Sequence, residues 1–228
     1  MEKVTVLGAG SWGTALSMVL AENGHDTLLW TNRAEQAREI NEQHTNSQYI
    51  NNIKLPENLK ATTDLSVAAN HGDTLVVAVP TKAIREVCSK LNDVLQKEKL
   101  FVHVSKGIEP DTLLRISEFM KETLKPELLS NLVVLSGPSH AEEVVLQHPT
   151  TVSAACENLQ AAEKVQDLFM NHYFRVYTND DVLSVELGGA LKNVIALAAG
   201  IIDGLQYGDN AKAALITRGL AEITRLGE

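Results

Sequence analysis

The stretch Val4–Gly24, VTVLGAGSWGTALSMVLAENG, decides the fold. A short apolar run leads into Gly8, Gly10 and Gly13, spaced G-x-G-x-x-G, and a second apolar run follows them. A strand before the glycines and a helix after them is the context in which that spacing binds a dinucleotide. Gly8 allows the tight turn, Gly10 lets backbone approach a pyrophosphate, and Gly13 lets the helix pack on the strand. The amides that begin the helix then face the anion. Ser11 and Trp12 lie in the loop itself, within reach of phosphate and the nicotinamide side.

Outward from this loop, short apolar runs alternate with helical patterns. The pattern predicts strands at Val4–Leu7, Thr27–Trp30, Thr74–Val79, Leu100–Val104 and Leu132–Leu135. Helices are predicted near Gly13–Asn23, Arg33–Gln43, Thr81–Leu91 and Asp111–Leu124. Such alternation implies a parallel sheet covered on both faces. Thr151–Ala155 and Phe174–Tyr177 extend the sheet, with a helix over Ala161–Met170 between them. All six prolines precede residue 150, and beyond YTNDD the pattern is helical, with Thr178, Asn179 or Asp180 as the expected cap. The expected fold is α/β: a Rossmann-type, mostly parallel sheet domain over 1–178, followed by an all-α second domain of which 179–228 is the first part.

Composition narrows the function. The chain has 228 residues, 44% of them hydrophobic, enough for a sizeable core. A net charge of −9 and a pI near 5.3 argue against nucleic acid as a partner. Cys88 and Cys156 form neither a metal spacing nor a disulfide framework, and the seven histidines show no paired ligand spacing. KVTVLGAG is a strand and its turn rather than a signal peptide. The longest uninterrupted apolar run, VIALAAGII, falls far short of the roughly 20 residues of a membrane span. The expectation is a cytoplasmic protein without membrane insertion.

Three further sites carry chemistry. After the second strand the chain reads LLWTNRAEQ. An acid there would hold a ribose 2′-hydroxyl; Asn32 and Arg33 stand instead, and an arginine suits a 2′-phosphate. NADP is therefore the expected cofactor, ahead of NAD. After the fourth and fifth strands come Ser105-Lys106-Gly107 and Gly137-Pro138-Ser139-His140-Ala141, on the edge where parallel sheets bind ligands. Ser139 is also a candidate helix cap. Lastly, Lys192 lies within the apolar segment ELGGALKNVIALAAG. At helical spacing its neighbours are Ser184, Gly188, Gly189, Ala196, Ala199 and Gly200, a small-residue stripe that lets another surface approach. A lysine over such a crevice, facing Lys106 as a like charge, is suited to proton transfer.

GAGSWGTAL, VSKGIE, SGPSHAEEV and ELGGALKNVIALAAGIIDGL, in this order, resemble the NAD(P)-dependent glycerol-3-phosphate dehydrogenases of bacteria. The resemblance covers the whole chain, and the last motif is the most specific. It implies interconversion of sn-glycerol 3-phosphate and dihydroxyacetone phosphate, feeding glycerophospholipid synthesis, with no metal. It also implies that Lys192 is the proton donor and acceptor and that Lys106 contacts both cofactor and substrate. Gly137 and Ser139 match substrate contacts. Ser11, Trp12, Asn32, Arg33, Tyr49 and Ala141 match cofactor contacts. Members of that family continue beyond this length, so the resemblance implies a chain that binds cofactor but is impaired in turnover. Helical second domains often dimerise, and a homodimer is compatible with this one. A 2-hydroxy-acid dehydrogenase with the same architecture is the competing enzyme, yet its asparagine four residues after the lysine is Ala196 here. A redox sensor without catalysis is the competing binding protein.

Overall fold

The chain begins with strand β1 (Lys3–Leu7), which runs directly into the glycine loop and helix α1 (Ser11–Glu22). The computed structural model describes residues 1–227. There follow β2 (Asp26–Trp30), α2 (Ala34–Gln43), β3 (Lys60–Thr62), α3 (Leu65–His71), β4 (Thr74–Val77) and α4 (Thr81–Val94). Next come β5 (Lys99–His103), α5 (Ile116–Thr123), β6 (Leu129–Ser136), α6 (Ala141–Val145), β7 (Thr150–Ala155), α7 (Leu159–Phe169) and β8 (Phe174–Asn179). Two long helices, α8 (Val182–Gly204) and α9 (Asp209–Gly227), complete the described chain.

The strands form one eight-stranded sheet in the order β3-β2-β1-β4-β5-β6-β7-β8, parallel except where β6 meets β7. Central strands such as β4 and β5 are buried along their whole length, as a sheet covered on both faces requires. One apolar cluster joins one face to α1, α2, α6 and α7. The other joins the opposite face to α3, α4 and α5. This is the mostly parallel Rossmann-like architecture expected from the alternation. The strand order reverses beside β1, so a crevice opens where β1 and β4 end.

Two elements depart from the pattern reading. No helix begins at Asp111. Instead Ile108 and Arg115 form an isolated antiparallel bridge, Leu113 takes a left-handed φ of 60°, and α5 starts only at Ile116. Arg85 holds this loop by donating to both oxygens of Glu109, at 2.5 and 2.7 Å, and Thr112 donates to the same carboxylate. The cap of α8 is Asp181, which accepts from the Ser184 amide at 2.9 Å, not one of the three residues before it. The short pair β3 and α3 carries too little periodicity to be read from sequence; Asp64 caps α3 by accepting from the Ser66 and Val67 amides.

Among the described residues one helix, Val182–Gly204, is long and apolar enough by length and composition to cross a membrane. The uninterrupted apolar run understates it, because Glu186, Lys192 and Asn193 break the run without breaking the helix. Only Glu186 and Gly189 of this helix are buried, whereas Val194, Leu197 and Ile201 are exposed.

Two glycines of the loop are sterically obligatory. Gly8 has a φ of +116°, and a Cβ on it would stand 2.7 Å from the Ala78 carbonyl oxygen. A Cβ on Gly13 would stand 1.9 Å from the Gly8 carbonyl oxygen, which is backbone and cannot swing away. Gly13→Ala is therefore expected to destabilise the protein by about 3 kcal/mol, at the upper end of overpacking costs. Urea unfolding checks this: the midpoint falls while the slope stays unchanged.

Candidate functional site

The site is built where the glycine loop meets the carboxyl ends of β4, β5 and β6. No side chain caps α1, so its first amides face open space rather than an internal acceptor. A Cβ on Gly10 would meet nothing within 4 Å, so the backbone there borders a free approach. Beside it lies a cavity of about 740 Å³ lined by the loop, Asn32, Arg33, Tyr49, Lys106 and Ser139. Uncapped helix amides beside such a groove are suited to an anion such as a pyrophosphate. Trp12, which with Ser11 lies in the first turn of α1 rather than in the loop, also lines it, and its buried indole N–H has no partner among the described residues.

Beneath the loop is a buried polar network. The Ala9 carbonyl accepts from Gln36 Nε2 at 2.7 Å and from Asn46 Nδ2 at 3.0 Å. Asn46 also donates to Thr14 Oγ1, and Thr31 donates to Gln36 Oε1. Ser11 Oγ donates to the Tyr49 carbonyl at 3.0 Å. The partners come from Thr31 just past β2, from α2 and from the loop after it, so later sequence holds the shape of earlier sequence.

Asn32 and Arg33 are exposed at the rim of the groove. Arg33 donates to the neutral amide of Gln48, which leaves its positive charge uncompensated by that contact.

A second cavity, about 390 Å³, opens between the sheet and α8. Gly137, Ser184, Gly188, Gly189, Lys192 and Ala196 line it; Ala199 and Gly200, further along the predicted stripe, do not. The approach of α8 is close, since a Cβ on Gly189 would meet Ser136 Oγ at 2.6 Å and Lys106 Cγ at 3.9 Å. Lys106 lines the first cavity and its side chain passes close to Gly189, which lines the second. Its ammonium donates to Ser139 Oγ at 2.6 Å and lies 5.8 Å from the Trp12 ring centre. Burial pushes Lys106 down to about 8, and the positive charge of Lys192 adds to the effect. Lys192 itself is half-buried.

Ser139 does not cap a helix: His140 precedes α6, and the Ser139 hydroxyl serves the lysine instead. Ala141 opens α6 as a buried core residue and lines neither cavity. Sequence reasoning passed over Pro80 and Thr81, which line the groove after β4. The rule that singled out Ser105 and Lys106, polar residues just past a strand, applies to them equally. Thr81 Oγ1 donates to the Lys106 carbonyl and Ser105 Oγ to the Val79 carbonyl, fixing the lysine's backbone.

Comparison with known proteins gives a consistent picture. The model of the NAD-dependent glycerol-3-phosphate dehydrogenase N-terminus matches residues 3–162, and that of the C-terminus of the same enzyme matches residues 181–228. The chain is 74% identical to the NAD(P)+ glycerol-3-phosphate dehydrogenase of Lysinibacillus sphaericus, over 100% of this chain and 67% of that protein. It is 62% identical to the Bacillus subtilis protein of the same name, over 100% of this chain and 66% of that one. Among solved structures, glycerol-3-phosphate dehydrogenase from Coxiella burnetii superposes with a TM-score of 0.89 at 38% identity, over 99% of this chain and 68% of that chain. The chain thus spans about two thirds of the length of these relatives.

Lys106 carries its charge below about pH 8 and loses it as pH rises through that value. NADPH binding, followed by nicotinamide fluorescence, is expected to weaken across the same interval. Lys106→Arg, charged throughout, is expected to abolish the step.

Proposed function

The chain belongs to the NAD-dependent glycerol-3-phosphate dehydrogenase family, a family of oxidoreductases, and on that footing we propose that it interconverts dihydroxyacetone phosphate and sn-glycerol 3-phosphate. The observation that carries the proposal is a pair of lysines near enough to repel each other, Lys106 lining the dinucleotide groove and Lys192 lining the crevice under α8. A small phosphorylated ketone is anionic, and two ammonium groups beside uncapped helix amides suit it. The nicotinamide, when bound, supplies or accepts the hydride at the substrate's C2.

The protein's own residues do the rest. Lys192 gives a proton to the oxygen on C2 during reduction and takes it back from the hydroxyl during oxidation. Lys106, held on Ser139, orients the oxygen-bearing end of the substrate and stabilises negative charge as it develops. Gly137, with a φ of +157°, packs tightly on Thr151 and Val152 of β7 and lines the second cavity just before Ser139. The proposal includes a cytoplasmic location and a role in glycerophospholipid synthesis. Two buried cysteines without a disulfide are in keeping with that compartment.

We also assign NADP as the preferred cofactor. Arg33 stands at the rim with a neutral partner, placed for a 2′-phosphate. Arg33→Ala is expected to narrow the ratio of NADPH to NADH affinity about tenfold, the worth of one charge-assisted hydrogen bond. Titration of both cofactors checks it, and an unchanged ratio would remove the assignment.

The enzyme itself is tested by following NADPH oxidation with dihydroxyacetone phosphate, on this chain and on one extended to the relatives' length. Lys192→Ala is expected to lower kcat by about 100-fold or more while NADPH still binds. Equal turnover of wild type and mutant in both forms would refute the role given to Lys192.

A further inference from the structure

Glu186 is a carboxylate buried in a largely apolar helix, and nothing in the proposed chemistry uses it. Its side chain is 5% exposed. Such a group is costly to bury unless donors surround it. Here they do. Oε1 accepts from the Ser117 amide at 2.8 Å, and Oε2 accepts from Ser117 Oγ at 2.5 Å and from Arg115 Nη1 at 2.8 Å. His103 Nε2 lies 3.0 Å from Oε1, close enough to act electrostatically. Ser117 belongs to the first turn of α5, so Glu186 satisfies the start of a helix far from it in sequence. His103 ends β5, three residues before Lys106. Burial works to raise Glu186, yet His103 and Ser117 outweigh it and hold the carboxyl below its ordinary value.

The place of this cluster matters more than its strength. Only Glu186 and Gly189 of α8 are buried, one turn apart, and Lys192 comes one turn later. Gly189 sets how closely the helix approaches Ser136. It has no side chain to resist rotation. The carboxylate, tied to β5 and α5, sets rotation and axial register. A turn of about 10° would swing a group roughly 8 Å from the helix axis by about 1.4 Å, and errors of that size cost about 100-fold in catalysis.

We propose that Glu186 is a positioning residue for Lys192: its contacts with Ser117, Arg115 and His103 lock the rotation of α8 so that the lysine faces Lys106 across the crevice. The inference rests on Lys192 being the proton donor, and the test separates the two ideas. In the enzyme extended to the relatives' length, kcat, KM and NADPH affinity are measured for Glu186→Gln, Lys192→Ala and the double variant. Glu186→Gln is expected to lower kcat about 10- to 100-fold with NADPH affinity unchanged, and to cost less than about twofold when Lys192 is already alanine. An equal loss in both backgrounds would mean a general structural role and would overturn the proposal, as would an unchanged kcat. If Lys192→Ala alone changed nothing, the proton-donor role would fail first. Should Glu186→Gln fold poorly, Ser117→Ala, which removes one donor and leaves the charge, is expected to give a milder loss with the same dependence on Lys192.

Discussion

The carbonyl of Gly8 touches the place where Gly13 has no side chain, and the ligand-binding edge depends on that contact. It lets α1 cross the end of β1 at a distance no other residue permits. From it follow the direction of α1, the exposure of its first amides, and the groove between those amides and the ends of β4 and β5. The second cavity is then set against the first by α8, which lies on Ser136 through another glycine. Both halves of the site thus rest on backbone brought to backbone or hydroxyl without an intervening Cβ.

Electrostatics shapes the junction. Placing two lysines near each other in a partly dry crevice is unfavourable while no anion is bound. The cost is partly offset by Ser139 and by the face of the Trp12 ring. A phosphorylated ligand offsets much more, because it brings negative charge to a place where positive charge is already fixed. A preference for anions under the proposed function would come from these local positive charges and not from the overall charge of the chain, which is −9.

The glycine loop, its strand and its helix could be read from sequence because local spacing and local geometry agree there. Lys192 could be singled out because a charge inside an apolar helix is locally anomalous. What could not be read depends on residues distant in the chain. The segment after Asp111 has helical composition, yet the Arg85 clamp on Glu109 and the bridge from Ile108 to Arg115 turn it into a loop. Ser139 has the composition of a cap but answers to Lys106. Glu186 stands in the same stretch as Lys192 and is equally anomalous, but its meaning lies in Ser117 and Arg115, about seventy residues earlier.

The network under the glycine loop has a consequence for how a ligand associates. Gln36 and Asn46 both grip the Ala9 carbonyl, so the loop's ordering entropy is lost when the chain folds rather than when a dinucleotide arrives. Association is then left to diffusion and to the stripping of water from phosphate and amides, with little conformational penalty to subtract from affinity.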